Sequence, residues 1–264
     1  MRQTSHLTGK TALILGASQG IGLASANSLA FYGATVVLAA RSIDTIETEA
    51  TNLANLGFNA FAIPCDVTDY DSVTHAVEFT KEKTGRVDIL VNNAGVIDPL
   101  TTLIDSDPTQ WNRAIDTNLK GVYHGMRSAL PIMKDQKAGT IINMSSGAAN
   151  SALIGWSHYC SSKAAAKKLT EVANLELTGT NIRVIGLSPG TVATPMMAKI
   201  RDAGINQVST LNWDAHLPPQ WVGETVAYLC GEGGNEFLGR DFSLKAVEGR
   251  NLVKEFSRNG AFRS

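Results

Sequence analysis

Short, predominantly apolar runs recur along this chain, separated by longer stretches of helical pattern. The runs are TALILGA (11–17), TVVLAA (35–40), AFAIP (60–64), VDILVNNAG (87–95), GTIINMSS (139–146) and IRVIGLSPG (182–190). None alternates apolar with polar residues, so each is expected as a strand covered on both faces. Helical periodicity fills the intervals: 20–32, with Ile21, Ala24, Leu29 and Ala30 on the inner side, then 43–55, 70–84, much of 108–134, and 157–178. A strand that must return parallel to its predecessor needs such a crossover. The order predicts an α/β fold: a doubly wound parallel sheet with helices on both faces. A further run, GRDFSL (239–244), brings the expected count to about seven strands.

No internal repeat, low-complexity segment or linker divides residues 1–264, so one domain is expected. Two segments stand apart. Residues 191–220 have weak periodicity and mixed polarity, as a binding loop or lid would, before a helix expected near Gln220. The tail, 245–264, is charged at intervals and is expected to pack on a neighbouring subunit or to be mobile.

Composition excludes several function classes. Basic and acidic residues number 23 and 24, a net charge of −1, which argues against nucleic acid and anionic membranes as partners. The three cysteines, Cys65, Cys160 and Cys230, are widely spaced and form neither a disulfide framework nor a metal motif. Cys160 adjoins Tyr159 but lacks a partner base in sequence, so it is read as a bystander. The start, MRQTSHLTGK, has no apolar leader region, and runs such as ATVVLAA are too short to span a bilayer. A cytoplasmic protein is expected.

In open parallel sheets, ligands bind beyond the carboxyl ends of the strands. The residues of chemical interest all fall there: Gly16–Gly22, Arg41, Asp66, Asn92–Gly95, Ser146 and Pro189–Gly190 follow six successive strands. In GASQGIG, Gly16, Gly20 and Gly22 permit a tight turn and close approach of phosphates, and the helix that follows offers free N–H groups. Ser18, Gln19 and Ile21 lie within the same turn. Tyr159 and Lys163 are four apart on a helix and so share a face. A free tyrosine titrates near pH 10, and an adjacent ammonium favours its phenolate. That pairing suits proton transfer to or from an alkoxide. Ser146, with twelve residues between it and Tyr159, can steady the substrate oxygen. Taken singly, each of these residues could be packing or solvated surface.

These motifs together resemble the short-chain dehydrogenase/reductase family in its compact branch, with a Rossmann-like fold. The resemblance runs from Leu7 to about Leu244 through GASQGIG, CDVTD, NNAG, Asn118 in NLKG, Ser146, YCSSK and SPGTVATP. It implies an NAD(P)(H)-dependent oxidoreductase acting on a secondary alcohol or ketone. Tyr159 would be the proton donor or acceptor, Lys163 its tuner and a ligand of the nicotinamide ribose, and Asn118 the holder of a relay water. It further implies adenine contacts from Asp66 and Val67, and ribose contacts near Asn92, Asn93, Ala94 and Gly95. After Pro189 and Gly190, Val192 and Thr194 would meet the carboxamide and phosphate. Asp66 could instead cap the helix near Asp69.

Where NAD-preferring relatives carry an acid, this chain has Arg41 and Ser42, a planar fork of donors and a hydroxyl suited to a 2′-phosphate. NADP(H) is therefore the expected cofactor, with NAD(H) the other possibility. Gln19 stands where NADP-preferring relatives often add a second basic residue. Two departures from the family pattern are Ile185 in place of an asparagine, and an ending without Asp-Gly-Gly. The pocket walls are expected from Ile97, Ala148, Leu153, Ile154, Trp156, Met196, Met197 and Trp213, which suits an apolar carbonyl compound. His158 is expected at the surface or pocket rim, and His216 near the substrate. No metal site is expected. A homotetramer built on the helices of 108–134 and 157–178 is expected, with a dimer as second choice. A 3-oxoacyl-thioester reductase, an epimerase or dehydratase of the longer branch, and a non-catalytic nucleotide sensor are the competing readings.

Overall fold

A computed structural model describes residues 6–258. Seven parallel strands form one sheet: β1 (Thr11–Leu15), β2 (Thr35–Ala40), β3 (Ala60–Pro64), β4 (Ile89–Asn92), β5 (Gly139–Met144), β6 (Ile182–Ser188) and β7 (Asp241–Ser243). Their spatial order is β3-β2-β1-β4-β5-β6-β7. The order reverses between β1 and β4, which places a crevice at their carboxyl ends. The helices are α1 (Gly20–Phe31), α2 (Ile43–Asn55), α3 (Tyr70–Thr84), α4 (Pro108–Ile115), α5 (Gly121–Gln136), α6 (Ser157–Glu176), α7 (Pro195–Ala203), α8 (Pro219–Cys230) and α9 (Val247–Arg258).

Alternate residues of each strand point to opposite faces, and here both faces are buried. In β1, Ala12 and Ile14 join a core with Leu29 of α1, Ile46 of α2, Val226 of α8 and Val253 of α9. Leu13 and Leu15 join a second core with Val77 of α3, Met126 of α5 and Ala166 of α6. The unbroken apolar runs in the sequence are the signature of these two cores. Each fully buried aliphatic side chain contributes about 1.5–3 kcal/mol.

Local chemistry sets the helix ends. Asp69 caps α3 by accepting from the Asp71 amide, and Gly85, at φ +79°, ends it. Asp66 is not that cap; its Oδ1 accepts from the amide and hydroxyl of Thr68. Asp107 caps α4, with Pro108 in the first turn. The helix expected across 108–134 is interrupted by a π-helical turn, Asp116–Lys120, which carries the fully buried Asn118.

The tail departs from expectation. Its first part is α9, folded against its own chain: Val253 is buried and the Phe256 ring lies 4.9 Å from Tyr32 and 5.6 Å from Tyr228. Buried Glu224 of α8 accepts from Tyr32 (2.8 Å), Ser28 (3.0 Å) and Ser257 (3.3 Å), tying α1, α8 and α9 together. Burial and the Glu224 carboxylate push the Tyr32 phenol well above its ordinary pKa. The rest of that expectation, on 259–264, lies outside the described residues.

Candidate active site

The turn after β1 accepts only glycine at two of its positions. At Gly16, φ is +87° and a Cβ would sit 2.7 Å from the Ala94 Cα. At Gly22 a Cβ would lie 2.1 Å from the Gly16 carbonyl oxygen, which also accepts from Asn93 Nδ2 at 2.8 Å. The turn thus packs α1 directly onto the strand ends. Gln19, at the start of α1, makes no side-chain cap and the first turn holds no acid, so the positive end of the helix is free for an anion.

A cavity of about 1030 Å³ follows the strand ends. Arg41, Ser42, Asp66 and Val67 line one end, and Gly16, Ser18, Gln19, Gly20, Ile21, Asn93, Ala94 and Gly95 the middle. Ser146, Tyr159, Lys163, Pro189, Gly190, Val192 and Thr194 line the part beyond. Three of the predicted residues stand behind this surface: Gly22 beneath the turn, Asn118 in the interior, and Asn92, buried and donating through Nδ2 to Asn143 Oδ1 at 2.7 Å. The glycine turn, the free helix end and the length of the cavity fit a dinucleotide. Burial opposes ionisation of Asp66, yet the Thr68 hydrogen bonds and the nearby Arg41 hold its carboxyl below the ordinary carboxylate range.

Tyr159 and Lys163 do share a face of α6. The Lys163 Nζ lies 5.7 Å from the centroid of the Tyr159 ring and donates to the Met144 carbonyl at 2.7 Å. Burial lowers the lysine pKa to about 8, and the negative charge of Asp241 opposes that fall. Tyr159 behaves contrary to the expected depression. Burial raises its pKa, outweighing a hydrogen bond from Ser146 that favours the phenolate. The tyrosine therefore keeps its proton through the neutral range, as a proton donor requires. Ser146 also accepts from the Ala148 amide at 3.2 Å, which orients its hydroxyl. The Asn118 side chain clamps the loop after β4: its Oδ1 accepts from Val96 N at 2.8 Å and its Nδ2 donates to Val96 O at 2.9 Å.

Sequence reasoning missed Asp241. It lies in β7, and its Oδ2 accepts from Ser145 Oγ at 2.7 Å, one residue from Ser146 and one from the carbonyl that holds Lys163. Its Oδ1 is buried without a hydrogen-bond partner. Gly186 makes the space, since a Cβ there would sit 2.0 Å from that oxygen. Burial raises the Asp241 pKa, with the Ser145 hydroxyl, Lys167 and Lys163 opposing and Glu171 reinforcing the rise. The available signal was an acid at the start of the short final strand, Asp241–Ser243.

At the far end, Ala148, Leu153, Trp156, Met196 and Met197 line the cavity as expected, and Trp156 packs edge-on to Tyr159 at 5.5 Å. Ile154 and Trp213 do not: Ile154 is 68% exposed, and Trp213 stacks under Arg201 outside the lining. Ile97 packs in the small core behind the wall. Ile200, Gln207, Val208 and Leu211 complete the lining from the 191–220 excursion, which contains α7. His158 is no rim residue. It is fully buried, its Nε2 is 2.7 Å from the Ile97 carbonyl, and burial lowers its pKa. His216 is also buried, packed edge-on to Trp213 and outside the lining.

The family model described as short chain dehydrogenase matches residues 10–204. The chain belongs to the short-chain dehydrogenases. This short-chain dehydrogenase is 44% identical to oxidoreductase UcpA of Salmonella typhimurium, over 94% of this chain and 97% of that protein. It is 35% identical to trans-4-hydroxycyclohexanecarboxylate dehydrogenase of Sinomonas cyclohexanicum, over 96% and 99%. A crystal structure of actinorhodin polyketide ketoreductase with NADPH superposes with a TM-score of 0.82 at 28% identity, covering 89% of this chain and 95% of that one. Family members are NAD(P)-dependent oxidoreductases that act on small molecules. Among the described residues, no helix is long and apolar enough to cross a membrane. None of their His, Cys, Asp and Glu side chains gather as a metal site of three or more.

Proposed function

We propose that this short-chain dehydrogenase interconverts a ketone and a secondary alcohol, with NADP(H) preferred to NAD(H). The observation that carries the reading is the meeting of Tyr159, Lys163 and Ser146 in the middle of one cavity, beyond the glycine turn. A nicotinamide dinucleotide, when bound, supplies or accepts the hydride. Tyr159 gives its proton to the substrate oxygen as negative charge develops there, and Ser146 steadies that oxygen by hydrogen bonding. Lys163, held by the Met144 carbonyl, presents a cation beside the phenol and stabilises the tyrosinate left behind. The apolar wall at Leu153, Trp156 and Met197 excludes water from the reacting carbon and suits an apolar carbonyl compound.

Arg41 and Ser42, which line the cavity at the end of β2, support the preference for NADP(H) through donors for a 2′-phosphate. The NADPH bound to the similar ketoreductase supports the same choice. The ring hydroxyl in the name of the Sinomonas dehydrogenase supports a secondary alcohol as the reacting group.

The decisive assay follows NADPH and NADH consumption against ketones, aldehydes and 3-oxoacyl thioesters, with Tyr159→Phe in parallel. Turnover by the wild type is expected, with a loss of roughly 10²–10⁴-fold in the variant. The variant should bind the dinucleotide as before. A variant that turns over at the wild-type rate would overturn the assignment of Tyr159, and binding without turnover of any substrate in either direction would favour a nucleotide sensor.

A further inference from the structure

Two cations outside the predicted site, Lys245 and Arg250, also line the cavity. Its lining residues fall in a line along the strand ends, from Arg41 after β2, through the glycine turn after β1 and Ser146 after β5, to Lys245 just past β7. On the reading above, the dinucleotide occupies the stretch from Arg41 to the loop after β6, so the margin past β7 is left to the substrate.

Lys245 is exposed and borders the loop after β6, its Cβ 3.9 Å from where a Gly190 Cβ would stand. Arg250 of α9 reaches back, and its Nη1 donates to the carbonyls of Leu244 (2.9 Å) and Lys245 (2.8 Å). It thereby fixes the turn that presents the lysine. Among the described residues, no carboxylate lies within ion-pair distance of either cation. The acidic residue of the cavity lining is Asp66, at the opposite end. The same lining carries apolar Trp156, Met197 and Leu211.

Two unneutralised cations in a cavity that also has apolar walls attract an anionic group carried on an apolar body. Charge-assisted hydrogen bonds favour a carboxylate there. With Arg250 Nη1 engaged by two carbonyls, Lys245 is the ready donor, which suits a monoanion better than a phosphate. We infer that the substrate is an oxo acid or hydroxy acid whose carboxylate seats on Lys245, backed by Arg250, while its carbonyl or hydroxyl meets Tyr159. The inference rests on the proposed function for the placement of the dinucleotide and of the reacting group at Tyr159.

The test is calorimetric and needs no turnover. The full chain is loaded with NADP⁺, or with NAD⁺ if that binds better, so that a ketone forms an unreactive complex. It is then titrated with 4-oxocyclohexanecarboxylate and, separately, with its methyl ester. The acid should bind at least tenfold tighter than the ester, and added salt should weaken the acid alone. Lys245→Met should bring the acid down to the affinity of the ester and leave the ester unchanged. An unaltered Tm will show that this exposed position has not disturbed the fold. Equal affinities of acid and ester, failure of the acid to bind, or indifference of the acid to Lys245→Met would each overturn the carboxylate seat. Acetoacetyl-CoA is titrated in parallel, and a loss on Lys245→Met confined to it would also overturn the seat, assigning the cations to the phosphates of a thioester. In a separate turnover assay, an acid that binds through Lys245 while neither it nor any other compound of the panel turns over in either direction would keep the seat and sink the ketone–alcohol reading. An ester turned over as well as the acid would sink the seat alone.

Discussion

A lysine that loses its proton near pH 8 limits how the site can work. The buried Lys163, with its pKa lowered to about 8, is charged at neutral pH and neutral in mild alkali. Tyr159, raised by burial, remains protonated across that interval. Ketone reduction should therefore be flat through neutral pH and decline as the pH rises past about 8, as the ammonium that stabilises the tyrosinate is lost. Asp241 opposes the fall of the lysine pKa, so Asp241→Asn should move this decline to lower pH. The other groups that face Asp241, which are Ser145 just past β5 and Lys167 and Glu171 of α6, are unchanged in that variant. A pH–kcat/KM profile that superposes on the wild type would show Asp241 to be structural only. At the opposite end of the cavity, Arg41→Ala should lower the ratio of kcat/KM with NADPH to that with NADH by about tenfold or more, a loss typical of a charged hydrogen bond. An unchanged ratio would remove Arg41 from cofactor choice.

At the scale of elements, β6 and β7 are fitted to each other by one pair. Gly186 and Asp241 are partners in register, and the carboxylate occupies the space of the missing side chain. Gly186→Ala should cost about 1–3 kcal/mol through overpacking. Added Asp241→Ala should recover part of that loss, a non-additivity that paired thermal melts of the single and double variants would reveal. This fit also shows where sequence reading stops. The strands were legible because burial on both faces leaves each run apolar throughout, and the glycine turn because Gly16 admits no Cβ. The Asp241 site depends on Ser145, Gly186 and Lys163, which are remote in the chain and adjacent only in the sheet. Asn118 matched the family pattern, but the π-helical turn that buries it is set by packing rather than by periodicity. His158 looked like a rim residue because a partner such as the Ile97 carbonyl cannot be seen in sequence. Ile154 and Trp213 were misplaced because nothing periodic in their segments fixes a facing side.

For the whole molecule, exposed apolar residues on the two long helices support assembly. Tyr123 of α5 and Val172 and Leu175 of α6 are respectively 48%, 40% and 71% exposed. Light scattering should report four chains per particle, with two as the other expected outcome, and Leu175→Glu should yield smaller particles. A wild type that stays a single chain at micromolar concentration would refute that assembly. Within one chain, the division of labour is uneven. The glycine turn sits mid-sheet, between strands that are paired on both sides. The residues proposed to read the substrate hang on β7, three residues long and paired only with β6, and on α9, tied back through the Ser257–Glu224 hydrogen bond. Divergence can thus remodel the outer margin of the sheet while the nucleotide cradle stays as it is. A lineage built on this plan can exchange one acid for another, or give up acids altogether, by rewriting a dozen or so residues near its carboxyl end.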